Sequence, residues 1–354
     1  MKREKGLLGL VLSLILGFTL VACGESASPQ EGNETSPPET AKTADTDETA
    51  SADEEYNFVF IMQSLANPFY VDMEDGMKLA IEELKEQGIT VNCIAEAPKT
   101  ETSTEDFISY VENAIALQKD AIIITPPDAT ALIPAVVKAT EAEIPVFIVD
   151  SRLDLKELEA QGGKVETFIG TNSYEAATLG GITLSEKFAA EGEAGEIVEV
   201  AIIEGATGQR NAIDRKEGFL NGIKDFPYME VVASQTANWE MEEAYNQTQN
   251  IMTSNPDLRA IFVSSDMMGM GVTNAVSDAG KLDQITIMTF DGLAEGRQAI
   301  KDGKVFADVA QFAGDMGYTA IMSAVQKSQD PSTTFSDEID TKTVVLTIDN
   351  VDTE

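Results

Sequence analysis

The chain has 354 residues, with 24 Lys and Arg against 61 Asp and Glu, which gives a formal net charge of -37. An acid excess this large argues against nucleic acid and anionic lipid as partners. It also argues against anionic ligands, unless a pocket with local positive charge offsets the negative potential of the protein. The sequence has no His, which excludes serine–histidine triads, HExxH zinc sites and imidazole acid–base catalysis.

The amino terminus has the pattern of an export signal. Three of residues 2–5 are basic, and residues 7–20 form a nearly uninterrupted apolar stretch that is short for a membrane span. The exit at 20–23, which ends in Cys23, resembles a bacterial lipobox, in which the Cys becomes the lipidated first residue. We therefore predict a lipoprotein signal peptide over 1–22 and a lipid on Cys23. Ordinary cleavage and an uncleaved anchor are the alternatives.

The segment 24–55 is rich in Ser, Thr, Pro, Glu and Asp and nearly free of large apolar side chains. It cannot bury enough apolar area to offset the entropy lost on ordering. With Cys23 it is predicted to form a disordered acidic tether, 23–55, whose root-mean-square reach is roughly 30 Å. The second Cys, Cys93, lies in an apolar stretch and is predicted to be a buried core thiol, so no disulfide framework is expected.

Beyond the tether, short β-rich apolar runs alternate with longer helical ones. The helical pattern is clearest over 68–86, where Met73, Met77, Ala80 and Leu84 share one face. This alternation predicts an α/β fold with parallel sheets that helices cover on both faces. About 300 residues are too many for one core, so two domains are expected. The predicted strands are 56–62, 90–95, 121–125, 145–149, 166–170, 197–204, 229–235, 260–264, 285–290, 305–310 and 343–348.

Polar and aromatic residues follow seven of these strands, at the sheet edge where ligands bind in parallel α/β folds. A sugar needs carboxylates and amides for its hydroxyls, an Arg fork, and aromatic walls for its apolar faces. Charged partners strengthen such hydrogen bonds about twofold. The residues that directly follow the strands, here called the strand exits, supply each of these groups and predict a sugar pocket. The candidate ligand-binding residues are Gln63, Asn67, Phe69, Tyr70, Asp150, Ser151, Arg152, Arg215, Trp239, Ser265, Asp291 and Gln311.

No P-loop, no GxGxxG after a strand and no metal-ligand cluster is found in the sequence, so neither a cofactor nor a metal is expected.

Each main candidate also has a purely structural interpretation. The structural alternatives are a core position for Trp239, a helix N-cap for Asp291, a surface ion pair for Arg215, a hydrophobic staple for Phe69 and Tyr70, a turn cap for Asp150 and a helix cap for Ser265.

Five segments are similar to the pentose/hexose-binding branch of the type I periplasmic binding proteins, which includes ribose-, allose- and galactofuranose-binding proteins. The similarity covers about 56–350, and the stretch 152–172 is most similar to allose-binding proteins. The five segments are NPFYVDMEDG (67–76), VAIIEGATGQ (200–209), VVASQTANW (231–239), SSDMMGMGV (264–272) and FDGLAEG (290–296).

The resemblance implies two Rossmann-like lobes with parallel sheets, joined by three hinge crossings, with the sugar in the cleft. The implied crossings lie near Thr171–Asn172, Gln311–Phe312 and Asp340–Thr341. The implied lobes are 56–171 with 312–340, and 172–311 with 341–354. By position, the first lobe would supply Asn67, Phe69, Tyr70 and Asp150, and the second Arg215, Trp239, Ser265 and Asp291, with Gln311 at the hinge.

The resemblance further implies an extracytoplasmic substrate-binding subunit of an ABC importer, with a permease and an ATPase as partners. We expect a lipid-anchored monomer without enzymatic activity that binds an allose-, psicose- or ribose-like monosaccharide. A sensor that presents a sugar or autoinducer to a receptor is an alternative. A carboxylate glycosidase acting through Asp150 and Asp291 is another. The export signal and the missing DNA-binding head exclude a transcription regulator of this fold.

Three positions depart from the family pattern. Ser265 stands where the family usually has Asn, so a hydroxyl replaces an amide. Ribose binders usually have Arg directly after the Asp, whereas here Ser151 precedes Arg152. Allose binders tend to have Lys where Gln63 stands. Because Arg215 is the one cation expected in the pocket, phosphosugars are not expected.

Overall fold

The computed structural model describes residues 54–100, 103–192 and 195–353. Within these ranges the chain forms twelve strands and ten helices. The strands are β1 (Glu54–Ile61), β2 (Ile89–Glu96), β3 (Ala121–Ile124), β4 (Val146–Val149), β5 (Thr167–Gly170), β6 (Val198–Glu204), β7 (Met229–Thr236), β8 (Leu258–Val263), β9 (Thr286–Asp291), β10 (Ala307–Ala310), β11 (Glu338–Asp340) and β12 (Val344–Thr347). The helices are α1 (Pro68–Glu86), α2 (Thr104–Ala116), α3 (Ile133–Glu141), α4 (Leu155–Ala160), α5 (Ser173–Ala190), α6 (Arg210–Ile223), α7 (Met241–Ser254), α8 (Asp266–Asp278), α9 (Ala294–Lys301) and α10 (Ala313–Gln329).

In the described part of the chain the strands form two six-stranded sheets, in the orders β11-β5-β4-β3-β1-β2 and β12-β10-β9-β8-β6-β7. Neighbours pair in parallel except β10 with β12. The strands β3 and β4 consist of apolar residues that are all buried, as strands covered by helices on both faces require. The predicted α/β class with parallel sheets is therefore confirmed.

Each sheet has an apolar core on both of its faces. In β1, Phe58 and Phe60 belong to one core of the first sheet, whereas Val59 and Ile61 belong to the other. This is the alternation that a strand with a two-residue side-chain period imposes. The second sheet is covered in the same way by two further clusters of buried residues.

The chain passes between the two sheets three times within the described ranges. Helix α5 packs on α6 and on β10 and β12 of the second sheet, whereas α10 packs on α1 and on β3, β4 and β5 of the first. The connecting residues are therefore 171–172, 311–312 and 341–343. Two α/β lobes joined by three crossings match the predicted architecture.

All eleven predicted strands are present, with ends that differ by up to two residues, but β11 was missed. Its three residues are only partly buried or exposed, and they pair with the sheet edge at Phe168, Ile169 and Gly170. A three-residue edge strand carries no apolar alternation, so its pairing depends on the neighbouring strand and not on a local pattern.

The predicted signal peptide, Cys23 and nearly all of the predicted tether lie outside the described residues. The last two tether residues, Glu54 and Glu55, belong instead to β1, where they pair with Ile89 and Thr90. Over the ranges that the structure describes, no helix combines the length and apolarity needed to cross a membrane.

Cys93 is half-buried, less than predicted, because it lies on β2 at the edge of the first sheet. Its side chain packs against the core that contains Phe58. Burial raises the pKa of the Cys93 thiol to about 12. The thiol is therefore protonated at neutral pH and has little nucleophilic character.

The helices α1 and α10 pack closely because glycines stand at their contact. A Cβ at Gly317 would lie 1.9 Å from the carbonyl oxygen of Met73, and one at Gly76 would lie 1.9 Å from that of Gly314. The backbones of the two helices can therefore approach only as long as these positions carry no side chain.

We predict that Gly317→Ala lowers the free energy of unfolding by about 1–3 kcal/mol, the usual cost of overpacking. Helix propensity alone would change it by about 1 kcal/mol in the opposite direction. Urea unfolding measures the difference. The matched control is Gly195→Ala, where a Cβ meets nothing within 4 Å. Equal stability of the Gly317→Ala variant and the wild type would contradict the close helix contact.

Candidate functional site

A cavity lies where the carboxyl ends of strands from both sheets meet. Its walls come from the segments that follow β1 and β4 in one sheet and β6, β7, β8 and β9 in the other. Together with the space at its open mouth, it measures about 320 Å³. The lining residues are Asn67, Phe69, Tyr70, Asp150, Asn211, Arg215, Trp239, Ser265 and Asp291.

The first lobe contributes two aromatic rings and a carboxylate. Asn67 is the N-cap of α1, and its Oδ1 accepts a hydrogen bond from the backbone N of Phe69 at 3.1 Å, which fixes the start of the helix. The rings of Phe69 and Tyr70 meet edge to face, with centroids 5.2 Å apart. The Tyr70 hydroxyl donates to Oδ2 of Asp150 at 3.2 Å. The helix start therefore positions both rings, and Tyr70 holds the carboxylate.

The second lobe contributes a buried ion pair between Arg215 and Asp291. Arg215 Nη1 lies 3.1 Å from Asp291 Oδ1 and donates to the carbonyl of Ser264 at 2.6 Å. Gln311 Nε2 donates to the same Asp291 oxygen at 2.8 Å, and the backbone N of Asp266 donates to Oδ2 at 3.3 Å. The side chains of the pair are only 3% and 7% exposed. Removing either partner would leave a buried charge without its counterion.

Trp239 forms one wall of the cavity, and a chain of amides connects it to the first lobe. Its indole Nε1 donates to Gln209 Oε1 at 2.7 Å. Gln209 Nε2 donates to Gln63 Oε1 at 3.1 Å, and Gln63 Nε2 donates to the carbonyl of Pro126 at 2.9 Å. The indole packs so tightly on Gly205 that a Cβ there would lie 2.0 Å from the ring. The orientation of the indole is therefore set by both lobes.

Three cavity residues have backbone conformations that side chains disfavour. Asp150, Trp239 and Asp291 have φ angles of 64°, 67° and 126°. Such conformations cost of order 1–3 kcal/mol each and persist only where the surrounding structure enforces them. The strain is concentrated at three strand exits, where it aims side chains into the cavity.

The two carboxylates of the cavity share one guanidinium. Burial raises the pKa of Asp150 to about 6, opposed by the charge of Arg215 and the Tyr70 hydroxyl and reinforced by the charge of Asp291. Burial also raises the pKa of Asp291, against the effects of Arg215 and the amide of Gln311. Hydrogen-bond donors that enter the cavity would therefore favour the ionised form of both carboxylates.

Eight of the twelve candidate residues line the cavity, and two more lie directly behind it. Gln311 contacts Asp291, and Gln63 contacts Gln209. Both are buried, and both orient groups that surround the cavity without being among its lining residues.

The structure does not bring Ser151 and Arg152 into the cavity lining. The backbone N of Ser151 donates to the carbonyl of Val149 at 2.7 Å, so the chain turns tightly after β4. Arg152 then forms a bidentate ion pair with Glu338 of β11, and its guanidinium lies 3.7 Å from the centroid of the Phe168 ring. The residue inserted before the Arg therefore directs it to the sheet edge.

The sequence reasoning missed Asn211 in the lining and Gln209 behind Trp239. Asn211 and Arg215 are four residues apart in α6, and residues at this spacing share a helix face. That spacing was the available signal for Asn211. Gln209 precedes the helix, and its role depends on Gln63, which is far away in sequence.

The structural alternatives have different outcomes. Ser265 is the N-cap of α8, accepting a hydrogen bond from the backbone N of Met268 at 3.2 Å, and it also lines the cavity. Asp291 is not a cap, because α9 has Leu293 at that position. Arg215 is buried and is not part of a surface ion pair.

The cavity presents polar atoms that suit a neutral, hydroxyl-rich ligand. Among the described residues, Asp150 Oδ1 and Arg215 Nε are buried atoms with no hydrogen-bond partner. One accepts and the other donates. The aromatic faces of Phe69 and Trp239 line the same space.

Comparison with known proteins places the chain in a family. The periplasmic binding protein domain matches residues 58–331, and the chain belongs to this family. A D-ribose/D-allose-binding protein of Pseudomonas aeruginosa is 33% identical over 277 residues, 78% of this chain and 83% of that protein. The D-allose-binding periplasmic protein of Escherichia coli is 30% identical over 75% of this chain and 82% of that protein.

Solved structures give the same result. An ABC transporter periplasmic solute binding protein from Actinobacillus succinogenes, solved with bound D-allose, is 31% identical. The TM-score is 0.77, and the match covers 84% of this chain and 100% of that chain. A solute binding protein from Agrobacterium vitis with bound D-fucose is 29% identical, with a TM-score of 0.76, over 84% of this chain and 97% of that one.

We predict a pH-dependent contribution of Asp150 to the stability of the unliganded protein. Folding raises the pKa of Asp150. Its contribution to stability is therefore fully present below the pKa that it has in the unfolded chain, and it is lost as the pH rises through about 6. The free energy of unfolding of the wild type should therefore fall between about pH 4 and 6 relative to Asp150→Asn, by up to about 1.4 kcal/mol per pH unit.

Urea unfolding at several pH values measures this difference. The exposed Asp283 provides the control, as Asp283→Asn. A wild-type-minus-Asp150→Asn difference that stays flat from pH 4 to 6 would contradict the raised pKa of Asp150.

Proposed function

We propose that this chain is the extracytoplasmic substrate-binding subunit of an ABC importer and that it binds a monosaccharide between its two lobes. The observation that carries the proposal is the composition of the cavity: two carboxylates, one guanidinium and aromatic walls, all at the carboxyl ends of parallel strands. The sugars named for the related proteins, allose and ribose, support an allose- or ribose-like ligand.

In this proposal the carboxylates accept hydrogen bonds from sugar hydroxyls, and Arg215 donates to hydroxyl or ring oxygens. Asp150 Oδ1 and Arg215 Nε are candidates for these bonds, because both belong to lining residues and are buried without a partner among the described residues. Phe69 and Trp239 would pack on the apolar C–H faces. With one guanidinium against two carboxylates, a neutral sugar fits better than a phosphosugar.

We further propose that the lobes, 56–171 with 312–340 and 172–311 with 341–354, close around the sugar by hinge motion. Gln311 lies in one crossing and donates to Asp291, so hinge position and site geometry are linked. The bond between Gln63 and Gln209 joins the two lobes across the cleft. Closure would deliver the sugar in a form that a permease and its ATPase recognise.

We propose binding without turnover. A carboxylate glycosidase would need an acid and a second carboxylate on either side of one bond. Here Asp291 is already engaged by Arg215 and Gln311, and Asp150 by Tyr70. These contacts hold the carboxylates as fixed hydrogen-bond acceptors. Product formation on incubation with candidate sugars or glycosides would reject the proposal.

Trp239 is the only Trp of the chain and lines the cavity, so its fluorescence reports binding directly. We predict that one sugar among D-allose, D-psicose, D-ribose, D-galactose and D-xylose changes this fluorescence saturably. At a hundred times its Kd the same sugar should stabilise the fold by about 2.7 kcal/mol. No response to any monosaccharide, in fluorescence or in thermal unfolding, would count against the sugar site.

The variant that tests the site is Asp291→Asn, which keeps the shape and removes the charge. We predict an affinity lower by on the order of 100-fold, because a hydrogen bond to a charged group contributes about 1.5–3 kcal/mol. The exposed Asp283→Asn serves as the matched control for loss of one charge. If Asp291→Asn bound the sugar with the affinity of the wild type, a ligand-binding role of Asp291 would be contradicted.

We propose that Cys23 carries a lipid that holds the protein at the outer face of the cytoplasmic membrane. The export pattern of residues 1–22 and the acidic segment that follows support it. We predict that Cys23→Ala releases the protein from the membrane fraction and leaves sugar binding unchanged. Membrane retention equal to that of the wild type would contradict lipidation.

A further inference from the structure

Two buried aspartates that do not line the ligand cavity hold the turn that follows Asp291. Asp266 is the first residue of α8 and Asp308 lies in β10, and their exposures are 2% and 0%. Asp266 Oδ2 accepts a hydrogen bond from the backbone N of Leu293 at 2.8 Å. Asp308 Oδ1 accepts one from the backbone N of Gly292 at 3.1 Å. The two carboxyl groups therefore hold consecutive backbone amides directly after a cavity residue.

This turn needs external support because its backbone is strained. Asp291 has a φ of 126°, and Gly292 follows with a φ of 78°. Arg297 of α9 adds a third bond, from Nε to the carbonyl of Gly292 at 2.8 Å. Without these contacts the turn would relax toward commoner conformations, and the carboxylate of Asp291 would leave its place beside Arg215.

The two carboxyl groups also lie close to each other. A Cβ at Gly296 would lie 2.4 Å from Oδ2 of both, so these two oxygens flank the same point. Among the described residues, Asp266 Oδ1 and Asp308 Oδ2 have no N–H or hydroxyl partner. Two carboxylates only accept hydrogen bonds, so the two groups can bond to each other only if one of them carries a proton. Two buried like charges this close also repel strongly, and this favours a proton on one of them.

The charges around the pair are mixed. Asp291 faces it from β9, Arg297 from α9, and Arg215 of α6 is paired with Asp291. A second cavity on the other side of Asp266 brings further charged groups near, namely Glu295, Asp302 and Lys304. Burial raises the pKa of Asp308 to about 7 and that of Asp266 well above its usual value, and the charge of Asp291 raises both.

We infer that Asp266 and Asp308 share one proton and act as positioning residues, holding Asp291 in its ligand-binding orientation only while that proton is bound. The inference rests on the proposed function, because it makes sugar affinity depend on a group that does not touch the sugar. Loss of the proton leaves two facing carboxylates, which separate and release the turn. Sugar affinity then falls as the pH rises above neutrality.

The test is the Kd of D-allose and D-ribose, followed by Trp239 fluorescence between pH 6 and 9.5. In the wild type the affinity should fall with pH, by up to about tenfold per unit once the pair loses its proton. Asp308→Asn replaces the shared proton with a permanent donor, since the amide Nδ2 can donate to Asp266 while Oδ1 still accepts from Gly292. Its affinity should persist at high pH, so that it exceeds that of the wild type at pH 9.

Asp308→Leu keeps the branching at Cγ and removes all of these bonds. Its affinity should be weaker by about tenfold or more at every pH, as expected for a lost buried hydrogen bond. The exposed Asp283→Asn controls for the change in net charge and should keep the wild-type pH profile. A flat wild-type profile up to pH 9, or an Asp308→Asn profile that falls as steeply as that of the wild type, would overturn the inference.

Urea unfolding separates failure of the inference from failure of the proposed function. The fold raises the pKa of Asp308 from 3.8 to about 7, so wild-type stability should decline between these two pH values, and the decline should be smaller in Asp308→Asn. If no sugar binds but the wild type and Asp308→Asn differ in this pH dependence of stability, the shared proton is supported and the proposed ligand is rejected. If sugar binds but the two proteins do not differ, the shared proton is rejected and the proposed function is supported.

Discussion

The buried ion pair between Arg215 and Asp291 is the contact on which the second lobe's half of the site depends. Breaking such a pair typically costs about 3–5 kcal/mol, because the remaining charge stays buried. The pair also links separate elements, since Arg215 donates to the carbonyl of Ser264 at the exit of β8 while Asp291 ends β9. Phe290 adds an aromatic face 4.1 Å from the guanidinium carbon. A helix and two strand exits are thereby held in one arrangement before any ligand arrives, which lowers the ordering cost of binding.

The first lobe is organised by weaker contacts, and the link between the lobes uses neutral amides. Tyr70 holds Asp150, and the Gln63–Gln209 bond crosses the cleft to reach Trp239. A neutral hydrogen bond contributes only about 0.5–1.5 kcal/mol, so the amide link between the lobes is weaker than the ion pair within the second lobe. Weak contacts between the lobes suit the hinge motion proposed above. Gln311 joins the two sets, because it lies in a crossing and contacts Asp291.

Much of the fold could be predicted because the strands of a doubly covered parallel sheet are apolar throughout. The segments Ala121–Ile124 and Val146–Val149 could be found on that basis alone. The strand Glu338–Asp340 could not, because its charged residues carry no periodic signal and its position depends on Phe168 and its neighbours. Cys93 proved less buried than its apolar surroundings suggested, since only strand order makes β2 an edge.

The same division applies to the site. The sequence by itself determined which residue types follow the strands, and because parallel strands end at one edge, it determined that these residues would meet. Only the tertiary structure decided which of them face the cavity. Arg152 turns toward Glu338 at the sheet edge, whereas Asn211 joins the lining and Gln209 supports Trp239 from behind. It also decided that Asp266 and Asp308 lie close together at Gly296, since side chains that are distant in sequence come together only when strands and helices pack.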